Sequence, residues 1–315
     1  MAGNTPGAAR RVAGTKKRRP HGQQEARRRK KLIGWIGGIA TAAVAAFVAA
    51  FMTGVGNVAA TNATRPAGPG GLPARIDLVR TVRGPGDTHL LAGPTVLTAD
   101  DLGRLNALNQ TDPAYQAWFT DHHAVDADST DVELVLEGNR AHTVRIVAVQ
   151  PVVSCAAPLS GTLFLSPSAG SDTSTQLLLD LDNPHALPSY IASDAGGAIT
   201  SGQDFFASHT VSLTQGEQFT FKLVASSRSH YCTFTLDVTA LDGDQSVLEH
   251  VDNNGKPFAV SALVDGDPTN PRPGEYSAYQ ALYVGGVANA GHGTNSFGDD
   301  LWAPADPQTY NPGAP

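Results

Sequence analysis

Signatures of chemistry are what this sequence has least of. It contains no G-x-S-x-G elbow, no H-E-x-x-H, no S-x-x-K and no phosphate-cradling glycine loop. The short motifs that would name a serine hydrolase, a zinc protease or a nucleotide binder are therefore missing. Basic residues are scarce beyond Lys31: 11 of the 22 Lys and Arg lie in residues 1–31, beside a single acid, Glu25. The first 31 residues carry +10 and the remainder −17. A surface that acidic repels phosphates, so nucleic acid is not expected as a partner of the larger part. Only two cysteines are present, Cys155 and Cys232. Neither lies near the N-terminus, which excludes a lipobox anchor, and no Trp falls between them, which separates the chain from antibody-type domains.

What is present begins at the seam Lys30-Lys31. The basic tail 1–31 is rich in Gly, Pro, Gln and Ala and nearly free of large apolar residues, a composition that predicts disorder. Leu32 to Val55 then runs for 24 residues without a charge. As a helix it would span roughly 36 Å, enough to cross a bilayer, and basic flanks stay on the cytoplasmic side. The reading is a cell-membrane protein with one signal-anchor helix, its N-terminus cytoplasmic and its C-terminal domain outside. The small residues Val58-Ala59-Ala60 leave an alternative, a secreted domain cleaved near Ala60. Small residues at every fourth position, Gly34, Gly38, Ala42, Ala46, Ala50 and Gly54, would also allow a helix-mediated dimer.

Residues 56–72 read as a flexible stalk, and 73–127 as an extended segment with two short helices. Thr98, with Asp101 three residues on, is a helix start, and Asp112-Pro113 is another. Tyr115, Trp118 and Phe119 make an apolar stripe on the second helix. In 128–264 the period changes to two. Cys232, Phe234, Leu236, Val238 and Ala240 alternate with polar residues, as do Phe219, Phe221 and Leu223. Shorter signals mark 132–136, 143–149, 162–165 and 177–181. No helix-length crossovers separate them, so the expected fold is mainly β, an antiparallel β-sandwich with a small helical N-terminal part. Asp252-Asn253-Asn254-Gly255 has the turn chemistry of a late hairpin. Residues 265–315 read as a Pro/Gly/Asn-rich tail, irregular but carrying Tyr276, Tyr279, Tyr283 and Trp302, aromatics suited to packing along the domain.

Export makes a disulfide between Cys155 and Cys232 the expectation, because nothing outside the cytoplasm keeps thiols reduced. Closing so long a loop would stabilise the fold by roughly 4–5 kcal/mol. The densest polar segment is Asp121-His122-His123, followed by Asp126, Asp128 and Asp131. Zinc or calcium takes such groups, which gives the rival function, an extracytoplasmic metal-dependent hydrolase using His122, His123 and Asp126. Against it, adjacent His side chains point apart and position 6 of a calcium loop is Asp131 rather than Gly. The segment is therefore read as a solvated helix-to-strand linker, with no catalytic, cofactor-binding or metal residue assigned.

The segments Gly161-Thr162-Leu163-Phe164, Leu179-Asp180-Leu181-Asp182-Asn183-Pro184, Leu213 with Gly216-Glu217, Cys232 with Phe234 and Leu236, and Gly255-Lys256-Pro257-Phe258 carry a resemblance. Over residues 95–262 the chain resembles uncharacterised single-pass membrane-anchored proteins of high-GC Gram-positive bacteria. The resemblance implies export and a β domain and assigns no active-site residue. The function expected is a membrane-anchored binding or scaffolding module, not an enzyme, facing an unknown protein or cell-envelope partner.

Overall fold

Two helices form where the caps demand them. In the computed structural model, which describes residues 71–84, 87–166, 176–183, 185–193, 199–264 and 274–311, Thr98 and Asp101 exchange the two bonds of a capping box at the start of α1 (Ala99–Asn106). Asp112 accepts the Ala114 N–H, and Pro113 opens α2 (Pro113–Asp121), where its missing N–H costs no hydrogen bond. The basic tail, the apolar run 32–55 and the stalk up to residue 70 lie outside the described residues. Among the described residues no helix is long and apolar enough to cross a membrane.

The strands, numbered in chain order, build two sheets. The first runs β1 (Ala74–Val82), β4 (Ser129–Gly138), β11 (Gln218–Ser226), β7 (Leu177–Asp180), β8 (Ser189–Ser193), β9 (Ile199–Asp204). The second begins β10 (Val211–Leu213), β5 (Val144–Ala156), β12 (Tyr231–Asp242), β14 (Phe258–Ser261). It continues through β3 (Val125–Ala127), β2 (His89–Leu91), β6 (Thr162–Leu165), β15 (Ala281–Val284) and β16 (Ala303–Ala305), with β13 (Gln245–Val251) also on β12. The molecule is mainly β and sandwich-like, but the expected purely antiparallel pairing is corrected. β7 runs parallel to β11, β3 to β14 and β6 to β15. Such pairs need long connections rather than hairpins, and short strands far apart in sequence supply them.

The alternating residues meet between the sheets. Val132, Leu134, Leu136, Phe221 and Leu223 from the first sheet pack on Ile146, Phe234, Leu236, Val238 and Phe258 from the second. Cys155 and Cys232 sit directly opposite on the antiparallel pair β5–β12 and are joined by a disulfide, with Cα atoms 4.1 Å apart. Directly opposed residues of an antiparallel pair come close enough for this.

The turn expected at Asp252–Gly255 forms, with Asn254 and Gly255 at φ +56° and +84° and Asn253 and Lys256 exchanging both backbone hydrogen bonds. The strands on either side of it differ from expectation: β13 and β14 both pair with the same edge of β12 rather than with each other, so the turn juts out between two collinear pieces of strand. The tight hairpin is β12–β13, where Asp242 faces Gln245 across Gly243 and Asp244. Gly243 has φ +62°, the conformation that the first position of a two-residue II′ turn requires.

Register shows how the second sheet continues past the sandwich. Val260 on β14 pairs with Asp126, Asp126 with His89, His89 with Phe164 and Phe164 with Tyr283, so these residues share one face. That face receives the helices, through Leu105, Tyr115 and Phe119, and Trp302 from the C-terminal segment packs among them. The next residues along, Leu90, Leu163, Leu165, Leu282 and Val284, point to the opposite face, where Tyr276 and Tyr279 cover them. The C-terminal aromatics are thus core residues: Tyr276, Tyr279, Tyr283 and Trp302 are all buried. Gly285 lies so close under Trp302 that a Cβ there would come within 2.6 Å of the indole.

Candidate functional site

The acidic and imidazole-rich segment after α2 was the sequence's best candidate for chemistry, and the fold takes it apart. His122 ends α2 with its ring stacked on Trp118, centroids 3.9 Å apart, and its Nδ1 2.7 Å from the Trp118 carbonyl. His123 adopts φ +55° to turn the chain out of the helix, and its side chain is exposed. Asp126 goes inward and is buried. Asp128, at φ +60°, accepts the Leu263 N–H at 2.9 Å. Asp131 Oδ2 lies 3.4 Å from Gln176 Nε2. Among the described residues no group of three or more His, Cys, Asp or Glu is placed to hold a metal ion. The solvated linker is also corrected: Ala124–Asp126 is buried as β3 takes its place between β2 and β14.

What forms instead is a buried polar seam under α2. Asp126 accepts from Arg83 Nε at 2.7 Å and from Thr130 Oγ1 at 2.6 Å. Arg83 also donates to Thr120 Oγ1 and to the Ala124 carbonyl, tying the end of β1 to the C-terminal turn of α2. His89, fully buried, lies against Phe119 with ring centroids 4.1 Å apart. Its Nδ1 is 3.3 Å from Asp126 Oδ1 but not aligned as a hydrogen bond, and neither ring nitrogen has a hydrogen-bond partner among the described residues. Burial works against ionisation of Asp126, yet His89, Arg83 and Thr130 outweigh it and hold the carboxyl below the usual range. Asp87 is shifted the other way, raised by burial, while the Gly84 N–H and the nearby His89 only partly offset it.

In chemical terms the seam is a brace. Asp126 has its guanidinium and hydroxyl donors in place, and His89 is shut off from solvent, so neither is positioned to exchange a proton with a ligand arriving from outside. The hydrogen bonds run between β1, β3, β4 and α2, which is the pattern of a side-chain network holding a helix to a sheet.

A second constellation was not singled out from the sequence. Asp182 lies 2.7 Å from His230 Nδ1, accepts the Arg228 N–H at 2.7 Å, and has Ser227 Oγ at 2.8 Å. The residue types suggest a nucleophile, base and acid, but the order is wrong for that work. The serine is bonded to the carboxylate and lies 2.9 Å from the His230 carbonyl, and not to the imidazole ring. A nucleophile needs the base within reach of its own proton. The cluster closes the turn between β11 and β12 onto the end of β7. These hydrogen-bond donors hold Asp182 below the ordinary carboxylate range against the opposing effect of burial. Asp182 and His230 are 48 positions apart, and only the parallel β7–β11 pairing brings them together.

No protein-family model matches the chain, and no curated protein or solved structure matches it.

The two outer faces differ. On the first sheet, charged side chains satisfy one another: Arg75 with Asp77 and Glu137, Arg80 with Glu133. On the second, over β5, β12 and β13, register places Thr233 beside Ser154, Thr235 beside Val152, Asp237 between Gln150 and His250, and Thr239 beside Leu248. Val152 and Leu248 are 51% and 61% exposed, and Gln150, Ser154 and His250 are exposed as well. The C-terminal segment covers this same face only farther along, over β2, β6 and β15.

Proposed function

We propose that the chain is a membrane-anchored, extracytoplasmic binding or scaffolding module whose partner meets the open face of β5, β12 and β13. The observation that carries this reading is the contrast just described. Hydroxyls, methyls and two exposed aliphatic side chains point outward there in a regular two-residue repeat, while His122, Asp126, Asp182 and His230 are engaged within the fold. A pleated surface of threonine and valine offers apolar area together with donors and acceptors, the combination that recognition faces use. The Cys155–Cys232 disulfide supports an oxidising compartment, and the uncharged run Leu32–Val55 behind a +10 tail supports an anchor with the domain outside.

Two measurements test the proposal on intact cells. A C-terminal epitope is expected to be protease-accessible from outside in the membrane fraction. A photo-crosslinking residue at Thr235 is expected to yield a discrete adduct, and the same residue at Arg80, on the charge-paired face, none. Equal adducts from both positions, or none from Thr235, would refute the binding face.

A further inference from the structure

Where the chain enters the sandwich, at the start of β1, an unusual number of groups converge on a short neck. The Asn139 amides bond to the Pro73 and Leu72 carbonyls. Arg140 donates from Nη2 to the Gly71 carbonyl at 2.6 Å and from Nη1 to the Leu72 carbonyl at 3.3 Å. Its Nε is held at 2.7 Å by Asp242, whose other oxygen lies 2.6 Å from His142 Nε2. These contacts come from the loop after β4 and the end of β12. One more comes from the opposite sheet: Glu249 on β13 accepts the Ala74 N–H at 3.1 Å.

Glu249 is the odd member. It is only 1% exposed, on the inward face of β13 two residues from the core residue Val251. Its Oε2 has no hydrogen-bond partner among the described residues. An ionised carboxylate with one bare oxygen in such a place is costly, and the neutral acid is far less so. Among the described residues the one cation close enough to matter is Arg140, and its donors are already directed at Asp242 and the backbone carbonyls of residues 71, 72 and 139. Neighbouring charges on the adjoining elements face elsewhere: Arg75 pairs with Asp77 and Glu137, and His250 with Asp237.

We propose that Glu249 is a proton-controlled latch on the neck: neutral, it holds Ala74 against the opposite sheet, and ionised, it loosens the first residues of β1. The position gives the latch its meaning, since β1 is the strand that any pull from the preceding chain reaches first, and it lies at the edge of its sheet. Burial pushes the Glu249 carboxyl up to about 7, with the Ala74 N–H and Arg140 only partly compensating. Asp242 is held low by its bond to Arg140, so that ion pair persists while Glu249 titrates.

The sign follows from linkage. In the closed neck Glu249 keeps its proton up to about pH 7, whereas in the open neck it reverts toward its ordinary 4.5. Opening therefore becomes easier as pH rises between those values, by up to about tenfold per pH unit, and levels off above. Hydrogen exchange of the full-length protein between pH 5 and 8, corrected for intrinsic rates, reads this at Ala74, Arg75 and Ile76. The expected result is protection that falls with rising pH at these residues and not at Val132–Leu136 of β4. Glu249→Gln should abolish the pH dependence, while His142→Gln, which changes the remaining imidazole of the cluster, should leave it in place. A ¹³C titration of the Glu249 carboxyl in the unaltered protein provides a reading independent of any variant. A midpoint near 7 supports the latch. A midpoint near 4.5, or pH-dependent protection that survives Glu249→Gln, overturns it.

Discussion

The second sheet is built to two different plans along its length. Over β5, β12 and β13 it has one buried face and one open face, and its residues alternate accordingly. Over β2, β6 and β15 both faces are covered, by the helices on one side and the C-terminal segment on the other, and nearly every residue is buried. The joint between the plans is the pairing of β14 with β3, which the Arg83–Asp126–Thr130 seam reinforces from above. The difference teaches where function can be. A strand covered on both sides has no side chain left to offer, so the proposed recognition face belongs to the half whose outer face is bare.

Substitutions at the joint and in each half sharpen or break this contrast. The largest effect is expected at Asp126. Asp126→Ala leaves the Arg83 guanidinium without its counter-charge in a site where its side chain is 16% exposed, and loss of one partner of such a buried pair costs about 3–5 kcal/mol. Denaturant unfolding should show that loss, and near-UV circular dichroism of the aromatic cluster around Trp302 and Phe119 should change with it. A variant of unchanged stability would mean that the seam does not brace the joint.

Next comes the sandwich half. Replacing Cys155 and Cys232 together by Ala should cost about 2–4 kcal/mol, less than loop-closure entropy alone would give because residual structure in the reduced, unfolded chain erodes that gain. The midpoint of unfolding should move, while the aromatic signal of the helix-covered half in the native state does not. If that signal is lost as well, the two halves are more tightly coupled than their separate cores suggest. The smallest effect belongs to the open face: Leu248→Ser, at a side chain already 61% exposed, should alter stability by less than about 0.5 kcal/mol and yet weaken crosslinking from Thr235. A large destabilisation there would show that the face is covered.

The same contrast explains what could be read from the sequence. The alternation of Phe219–Leu223 and Cys232–Ala240 announces one-sided strands, and these became β11 and β12. The caps at Thr98 and Asp112 announce both helices, because capping is local chemistry. The disulfide was legible from cysteine count and inferred export. Strands buried on both faces announce less: Thr162–Leu165 shows as a short apolar run and became β6, but His89-Leu90-Leu91, Val125-Asp126-Ala127 and Ala281–Val284 are too short for a period, and their partners lie far away in the chain. Hence the tail 265–315 read as irregular although its residues 281–284 and 303–305 are sheet strands. Asp126 read as solvated because nothing near it in sequence shows that Arg83 and Thr130 close over it. The Glu249 neck was equally hidden, since Glu249 and Ala74 are 175 residues apart. Its local signal, a Glu on the inward phase of β13 beside Val251, is visible only once the register is known.

The C-terminal segment is a structural layer over one half of the second sheet, leaving the outer face of the other half open for the proposed partner. Hydrogen exchange of a chain ending at Val264, compared with the full-length protein, tests it directly. Removal of residues 265–315 is predicted to strip protection from Leu163–Leu165 and Leu90-Leu91 while Cys232–Ala240 and Val144–Val149 retain theirs. Unchanged protection at Leu163–Leu165 would contradict the account.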